Sequence, residues 1–147
     1  DSLSSGFSKS GIADKKEKFE IVTTVIGRVC EEDEIDEYLY PARNIYTLYV
    51  GGMGAKSKNF YYNLFCEYGY EDIADDLQNL YLSGNKKESE KMFPKELLDE
   101  LTLVGTKKDI EKKIENWKES NVTEISLSLP IDFETVKFIK ELFWKFF

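Results

Sequence analysis

The 147-residue sequence predicts an α/β fold built on parallel strands. Two runs rich in β-branched and apolar residues, "KFEIVTTVIGRVC" (residues 18–30) and "VTEISLSLP" (residues 122–130), read as strands. Each is followed directly by a helical pattern, the order that parallel sheets use. The long stretch between them reads as a large helical insertion whose helices are separated by glycine stops. Two β-α units alone would leave sheet edges open. The pattern therefore reads as a segment of a larger parallel α/β structure, and a first residue Asp1 rather than Met agrees with that.

Taken in order, residues 1–18 are rich in Ser, Gly and Lys and read as a loop or the frayed end of an earlier helix. After the first strand, residues 31–50 read as a helix whose first turn is crowded with acids, where the helix dipole favours them. Ile35, Leu39, Ala42, Tyr46 and Tyr49 draw one apolar face at helical spacing. Pro41 predicts a kink, and Gly51 and Gly52 a stop. A second helix is expected from Ser57 or Lys58 to Gly69. A third spans "YEDIADDLQNLYLSG", burying Ile73, Leu77, Leu80 and Tyr81 and ending at Gly84. "NKKESEKMF" supplies a turn or two of charged helix, and Pro94 suits the first helical position of "PKELLDELTLVG". "TKKDIEKKIENWKESN" opens on a capping pair, Thr106 and Asp109, with Ile110, Ile114 and Trp117 as its inward stripe. Asp132 caps the closing helix, "FETVKFIKELFWKFF".

Composition excludes several partners. The formal charge is −8, and the lysines are interleaved with acids, so neither nucleic acid nor an anionic membrane is an expected partner. No apolar run is long enough to span a bilayer, and the N-terminus lacks the apolar core of a signal peptide. Histidine is absent, which removes the commonest general base and the commonest metal ligand. The acids over residues 31–37 lack EF-hand spacing and read as a solvated helix start, so no metal site is expected. Cys30 and Cys66 stand in dissimilar contexts and read as packing thiols of a reduced, cytoplasmic protein.

The stretch "YVGGMGAKSKNFYYN" (residues 49–63) admits three readings. A dinucleotide-binding turn needs a small residue three positions after Gly54; Ser57 stands there instead of glycine, and the upstream stretch is helical rather than extended. A helix stop followed by a tight corner fits, because glycine alone reaches positive φ without strain. A loop bordering a bound ligand fits as well. Tyr61, Phe65 and Tyr68 share a helical face and read as packing, whereas Phe60 and Tyr62 lie on other faces. Lys56 and Lys58 bracket a helix start as anion holders or as solvated lysines. Gly105 and Thr106 form another helix N-terminus, open to an anion or to ordinary capping by Asp109.

Three blocks in order carry a resemblance: Gly51-Gly52-Met53-Gly54 with Asn59-Phe60-Tyr61, then "DLQNLYLSG", then "LVGTKKDIEKKIENWKESNVTEISL". Together they resemble the C-terminal part of luciferase-like monooxygenases and oxidoreductases, in particular the branch dependent on the deazaflavin coenzyme F-420. The resemblance runs from about residue 19 to residue 129. It implies the C-terminal part of a (β/α)8 TIM-type barrel, about 40 per cent of it, as one domain fragment over residues 1–147. A helix-rich insertion, at about residues 49–99, then separates two late parallel strands.

The resemblance also implies hydride transfer between a reduced cofactor, F-420 or alternatively FMN, and a small organic substrate, with oxygen used by some FMN members. It places Gly51, Gly52, Met53, Gly54, Asn59 and Phe60 at the wall near the cofactor ring, with Gly105 and Thr106 as a helix terminus. It implies a homodimer for the full-length protein. Most cofactor contacts of the family fall on earlier strands, so this segment alone is expected to be inactive, and no catalytic residue or proton donor is assigned. The alternative reading is a small non-catalytic α/β interaction module that docks a partner through its aromatic insertion.

Overall fold

The first apolar run condenses into a strand, β1 (Val22–Val29), that has a parallel neighbour on each side. The computed structural model describes residues 2–11, 19–55, 58–117, 120–128 and 132–146. One neighbour is β3 (Glu124–Ser128), paired from Val22 with Glu124 to Ile26 with Ser128. The other is β2 (Leu103–Gly105), paired from Gly27 with Leu103 to Val29 with Gly105. The strand order is therefore β2-β1-β3. The sequence reading anticipated β1 and β3; β2 is three residues long, too short to show a strand period of its own.

Side chains alternate across a strand, so neighbouring residues serve opposite faces. Val25 and Leu103 pack with Ile110 and Ile114 of α7 (Lys107–Trp117) and with Ile139 and Leu142 of α8 (Phe133–Phe146). Ile26 and Val104, one residue further on, join the opposite core with Leu39, Ala42 and Val50 of α2 (Ile35–Gly52). That core also takes Phe65 of α3 (Phe60–Phe65), Leu77 of α4 (Glu71–Leu82), Phe93, and Leu98 of α6 (Lys95–Glu100). Between α4 and α6 lies the short α5 (Lys86–Met92). Strands buried on both faces read as near-continuous apolar runs, which is how β1 announced itself. This three-strand sheet, covered by helices on both sides, has the arrangement of an open, doubly wound sheet.

Most helices stand where their periodicity put them, and the departures have local causes. The acids of residues 32–34 form a 3-10 turn, capped reciprocally by Glu31 and Glu34, before α2 begins. The α2 helix passes through Pro41 and also through Gly51 and Gly52, which were expected to stop it. Residues 66–70 are a π-helical segment joining α3 to α4, and Gly69 at φ 90° is the joint. An expected helix end became a bend. Pro94 sits one position ahead of α6, in extended conformation, rather than inside its first turn. The N-terminal stretch forms α1 (Ser2–Ser10). Asp132 caps α8 as expected, accepting from Thr135 N at 2.9 Å and Thr135 Oγ1 at 2.6 Å. Among the described residues no helix is long and apolar enough to cross a membrane.

Candidate functional site

Parallel α/β sheets present ligands at the carboxyl ends of their strands, because loops and helix N-termini converge there. In this chain β1 ends at Val29, just before Cys30, and β2 ends at Gly105; Cys30 N donates to Gly105 O at 3.0 Å. Cys30 is buried and free. Burial, and then the charge of Glu34, push its thiol up, so it is a poor nucleophile at neutral pH.

Gly105 has φ 149°, and a Cβ there would come within 3.1 Å of Asp109 Cβ. Beside it, Thr106 N and Thr106 Oγ1 both donate to Asp109 Oδ2, at 3.0 and 2.6 Å. Asp109 N donates back to Thr106 Oγ1 at 3.3 Å. The Thr106 hydroxyl is the main reason that the Asp109 carboxyl titrates below the usual range. The chain's own carboxylate thus occupies the N-terminus of α7, and an incoming anion there would meet Asp109.

A second cluster lies where β1 meets the start of α8. Arg28 Nη1 donates to Asp132 Oδ2 at 2.7 Å, and Nη2 donates to Tyr38 OH at 3.3 Å. The guanidinium carbon lies 4.6 Å from the centre of the Tyr38 ring. Val29 N donates to Thr135 Oγ1 at 2.9 Å, tying the strand end to the helix start. The Thr135 hydroxyl first, and Arg28 in addition, hold the Asp132 carboxyl below its ordinary value. Sequence reasoning gave Asp132 only a capping role and gave Arg28 none. The available signal was the one charged residue in a strand otherwise built of Val, Ile, Thr and Gly.

The glycine loop serves a different neighbourhood. Gly51 and Gly52 lie in the last turn of α2, under the ring of Tyr81 from α4. A Cβ on Gly51 would sit 2.6 Å from Tyr81 Cβ and Cγ, and one on Gly52 would sit 2.5 Å from Tyr81 Cε1. These two glycines are a bed for Tyr81. Met53 is exposed, and Gly54 turns the chain at φ 133°.

Asn59 is 1% exposed and bonds in both directions. Its Nδ2 donates to Tyr49 O at 2.9 Å and Val50 O at 2.8 Å, closing the end of α2. Its Oδ1 accepts from Tyr61 N at 2.9 Å and Tyr62 N at 3.2 Å, opening α3. An asparagine amide has two donors and two lone pairs, and all four are engaged. Phe60 is two-thirds exposed, with its ring edge-on to Tyr61. Tyr62 donates its hydroxyl to Asp75 at 2.9 Å, and that bond pushes it up to about 12. Of the remaining expected elements of this loop, Lys56 and Ser57 lie outside the described residues, and Lys58 is exposed.

Two concavities meet beside these elements. A broad groove of about 1020 Å³ runs from Glu32 and Asp109, near the strand ends, along α7 to Trp117 and across to Tyr68. A smaller cavity of about 180 Å³ lies between α2, α3 and α6, walled by Tyr46, Tyr49, Tyr61, Phe65 and Phe93. Tyr68, Leu97 and Leu101 line both, so the two adjoin. The sequence reading assigned Tyr61, Phe65 and Tyr68 to packing; Phe65 is buried, while Tyr61 stands at the cavity wall and Tyr68 is exposed where the two concavities meet. From the predicted glycine segment it is Tyr49, Val50 and Tyr61 that reach a concavity.

The chain is similar to a protein of Mycobacterium tuberculosis whose provisional name is coenzyme F-420-dependent oxidoreductase. The two are 31% identical over 121 residues. That match takes in 82% of this chain but 34% of the relative, so the chain spans about a third of the length of the curated protein it matches. No family model matches the chain, and no solved structure does.

Proposed function

We propose that this chain is the C-terminal part of a luciferase-like oxidoreductase that uses coenzyme F-420 to move hydride to or from an organic substrate. The observation that carries the reading is the 31% identity, sustained over 82% of the chain, to a protein named for that coenzyme. The same name favours F-420 over FMN. The coenzyme would supply the hydride chemistry.

Among the described residues, the positions that the resemblance offers are engaged by the chain itself and form no holding site for such a group. Asn59 has no hydrogen-bonding capacity left, and Tyr81 fills the space over Gly51 and Gly52. Asp109 guards the N-terminus of α7 against a phosphate. The broad groove is lined by Glu32, Asp99, Glu100 and Asp109 against Lys95, Lys112 and Lys113. Lys95 and Lys113 are already paired with Asp36 and Asp99. A phosphate-bearing coenzyme meets no net positive lining there. The groups that grip it belong, in this reading, to the part of the oxidoreductase that the relative possesses beyond the matched third.

The test uses the protein encoded by the whole reading frame, titrated with F-420 and with FMN and followed by visible absorbance. Saturable F-420 binding supports the proposal. Binding of neither coenzyme, or an upstream sequence without further β-α units, overturns it.

A further inference from the structure

The cavity between α2, α3 and α6 is assigned by neither the coenzyme reading nor the packing of the core. Its volume is about 180 Å³. For scale, an apolar cavity of roughly 150 Å³ stays dry and accepts benzene. The space is of one-ring size, and it opens to solvent and to the adjoining groove.

Its walls are aromatic faces and edges held by one another. Tyr49 and Tyr61 stack with centroids 4.7 Å apart, Tyr46 and Phe93 at 6.1 Å, and Phe65 packs on Phe93 at 5.5 Å. Tyr46 donates its hydroxyl to Leu101 O at 3.3 Å, and burial raises its pKa, so it remains a neutral phenol. Among the described residues that line the cavity there is no Asp, Glu, Lys or Arg. The charged residues begin in the adjoining groove, with Lys95, Asp99 and Glu100 beside the shared Leu97 and Leu101. A ligand that enters must leave charge outside, because an unpaired ion loses its hydration in such a space.

We propose that this cavity is a binding site for an uncharged molecule of one aromatic ring, held by stacking against the Tyr49–Tyr61 pair and Phe93. Rigid aromatic walls fixed before the ligand arrives lower the ordering cost of binding. The inference stands on the cavity alone and does not depend on the oxidoreductase assignment.

The experiment is a titration of the protein encoded by the whole reading frame with toluene and with benzoate, which share a ring and differ by a carboxylate. Amide chemical shifts of Leu64, Phe65 and Phe93 report the cavity. Toluene is expected to shift these amides saturably, and benzoate to bind about tenfold more weakly or not at all. Leu64 lines the cavity, so Leu64→Phe, which fills part of it, should weaken toluene about tenfold. Tyr61→Ala, which removes a half-exposed wall ring, should weaken it about threefold without unfolding the chain. Toluene binding that ignores both substitutions, equal affinity for benzoate, or no saturable shift in the folded chain overturns the assignment.

Discussion

Gly51→Ala separates a packing role of the glycine loop from a ligand-bordering one. Gly51 lies near the end of α2, where alanine is intrinsically favoured over glycine by about 1 kcal/mol. On propensity alone the substitution should stabilise the chain. A Cβ at this position, however, would stand 2.6 Å from both Cβ and Cγ of Tyr81. Those two atoms are the root of the tyrosine side chain, and no χ1 change moves Cβ. Relief requires α2 and α4 to separate, loosening the seam where Val50 and Leu77 are buried. Overpacking of this kind costs about 1–3 kcal/mol, so the net loss is about 1–2 kcal/mol once propensity is set against it. With a urea m-value of about 1–2 kcal/mol/M, the midpoint should fall by roughly 1 M at unchanged m. In a Tyr81→Gly background both clashing atoms are gone, and the same Gly51 substitution should stabilise by about 0.5–1 kcal/mol. An unchanged or raised midpoint for Gly51→Ala with Tyr81 in place would refute the packing account. The glycines would then need a ligand to explain them.

Asn59→Ala removes four hydrogen bonds that join the end of α2 to the start of α3, and should cost about 2–4 kcal/mol in the same urea assay; a loss below the cost of one ordinary cap would mean that the joint is held by packing instead. The carboxyls of Asp36, Asp109 and Asp132 all titrate below their ordinary value when folded. Their stabilisation is thus present above the unfolded pKa of about 3.9 and is lost as pH falls through the folded values. Asp109→Asn should flatten the acid limb of stability against pH, and an unaltered limb would refute its share. Thr135→Val should move the Asp132 titration upward, read by carboxyl-carbon NMR, because the Thr135 hydroxyl is the chief cause of the depression. Finally, Thr24 and Ser126 are register partners on β1 and β3, so a Thr24→Cys, Ser126→Cys pair should form a disulfide in the oxidised chain; failure to cross-link would contradict the β1–β3 pairing.

What the sequence disclosed was what a residue does within a few positions of itself. The Thr106–Asp109 and Asp132–Thr135 caps each span three residues and were legible as such. So were the stripe of Ile110 and Ile114 and the face of Leu39 and Ala42, since helical spacing alone places them. Illegible were the features whose cause lies elsewhere in the chain. Gly51 and Gly52 looked like a helix stop because nothing local shows that Tyr81 will lie on them. Arg28 looked like a stray charge in a strand because its partner Asp132 is 104 residues away. Tyr49 and Tyr61 become a cavity wall only when α2 and α3 fold back on each other through Asn59. Every site residue suggested by the resemblance has a defined structural surrounding here, and the loop residues are divided from Gly105 and Thr106 by the neighbours they serve.

The strand order bears on how this chain would sit in a complete enzyme. In a closed barrel the strands follow chain order, and each following helix lies outside the ring. Here the connection from β1 to β2 lies on the Ile26 and Val104 face, and the connection from β2 to β3 lies on the Val25 and Leu103 face. That places β3 across β1 from β2. Closing a barrel would require β3 to move beside β2, α2 to join the side of α7 and α8, and another strand to take the freed edge of β1. The face now covered by α2 to α6 would then point into the barrel. Both arrangements need strands that are apolar on both faces, and Val25 with Ile26, and Leu103 with Val104, supply them. The same residue pattern therefore supports a parallel α/β reading in either case.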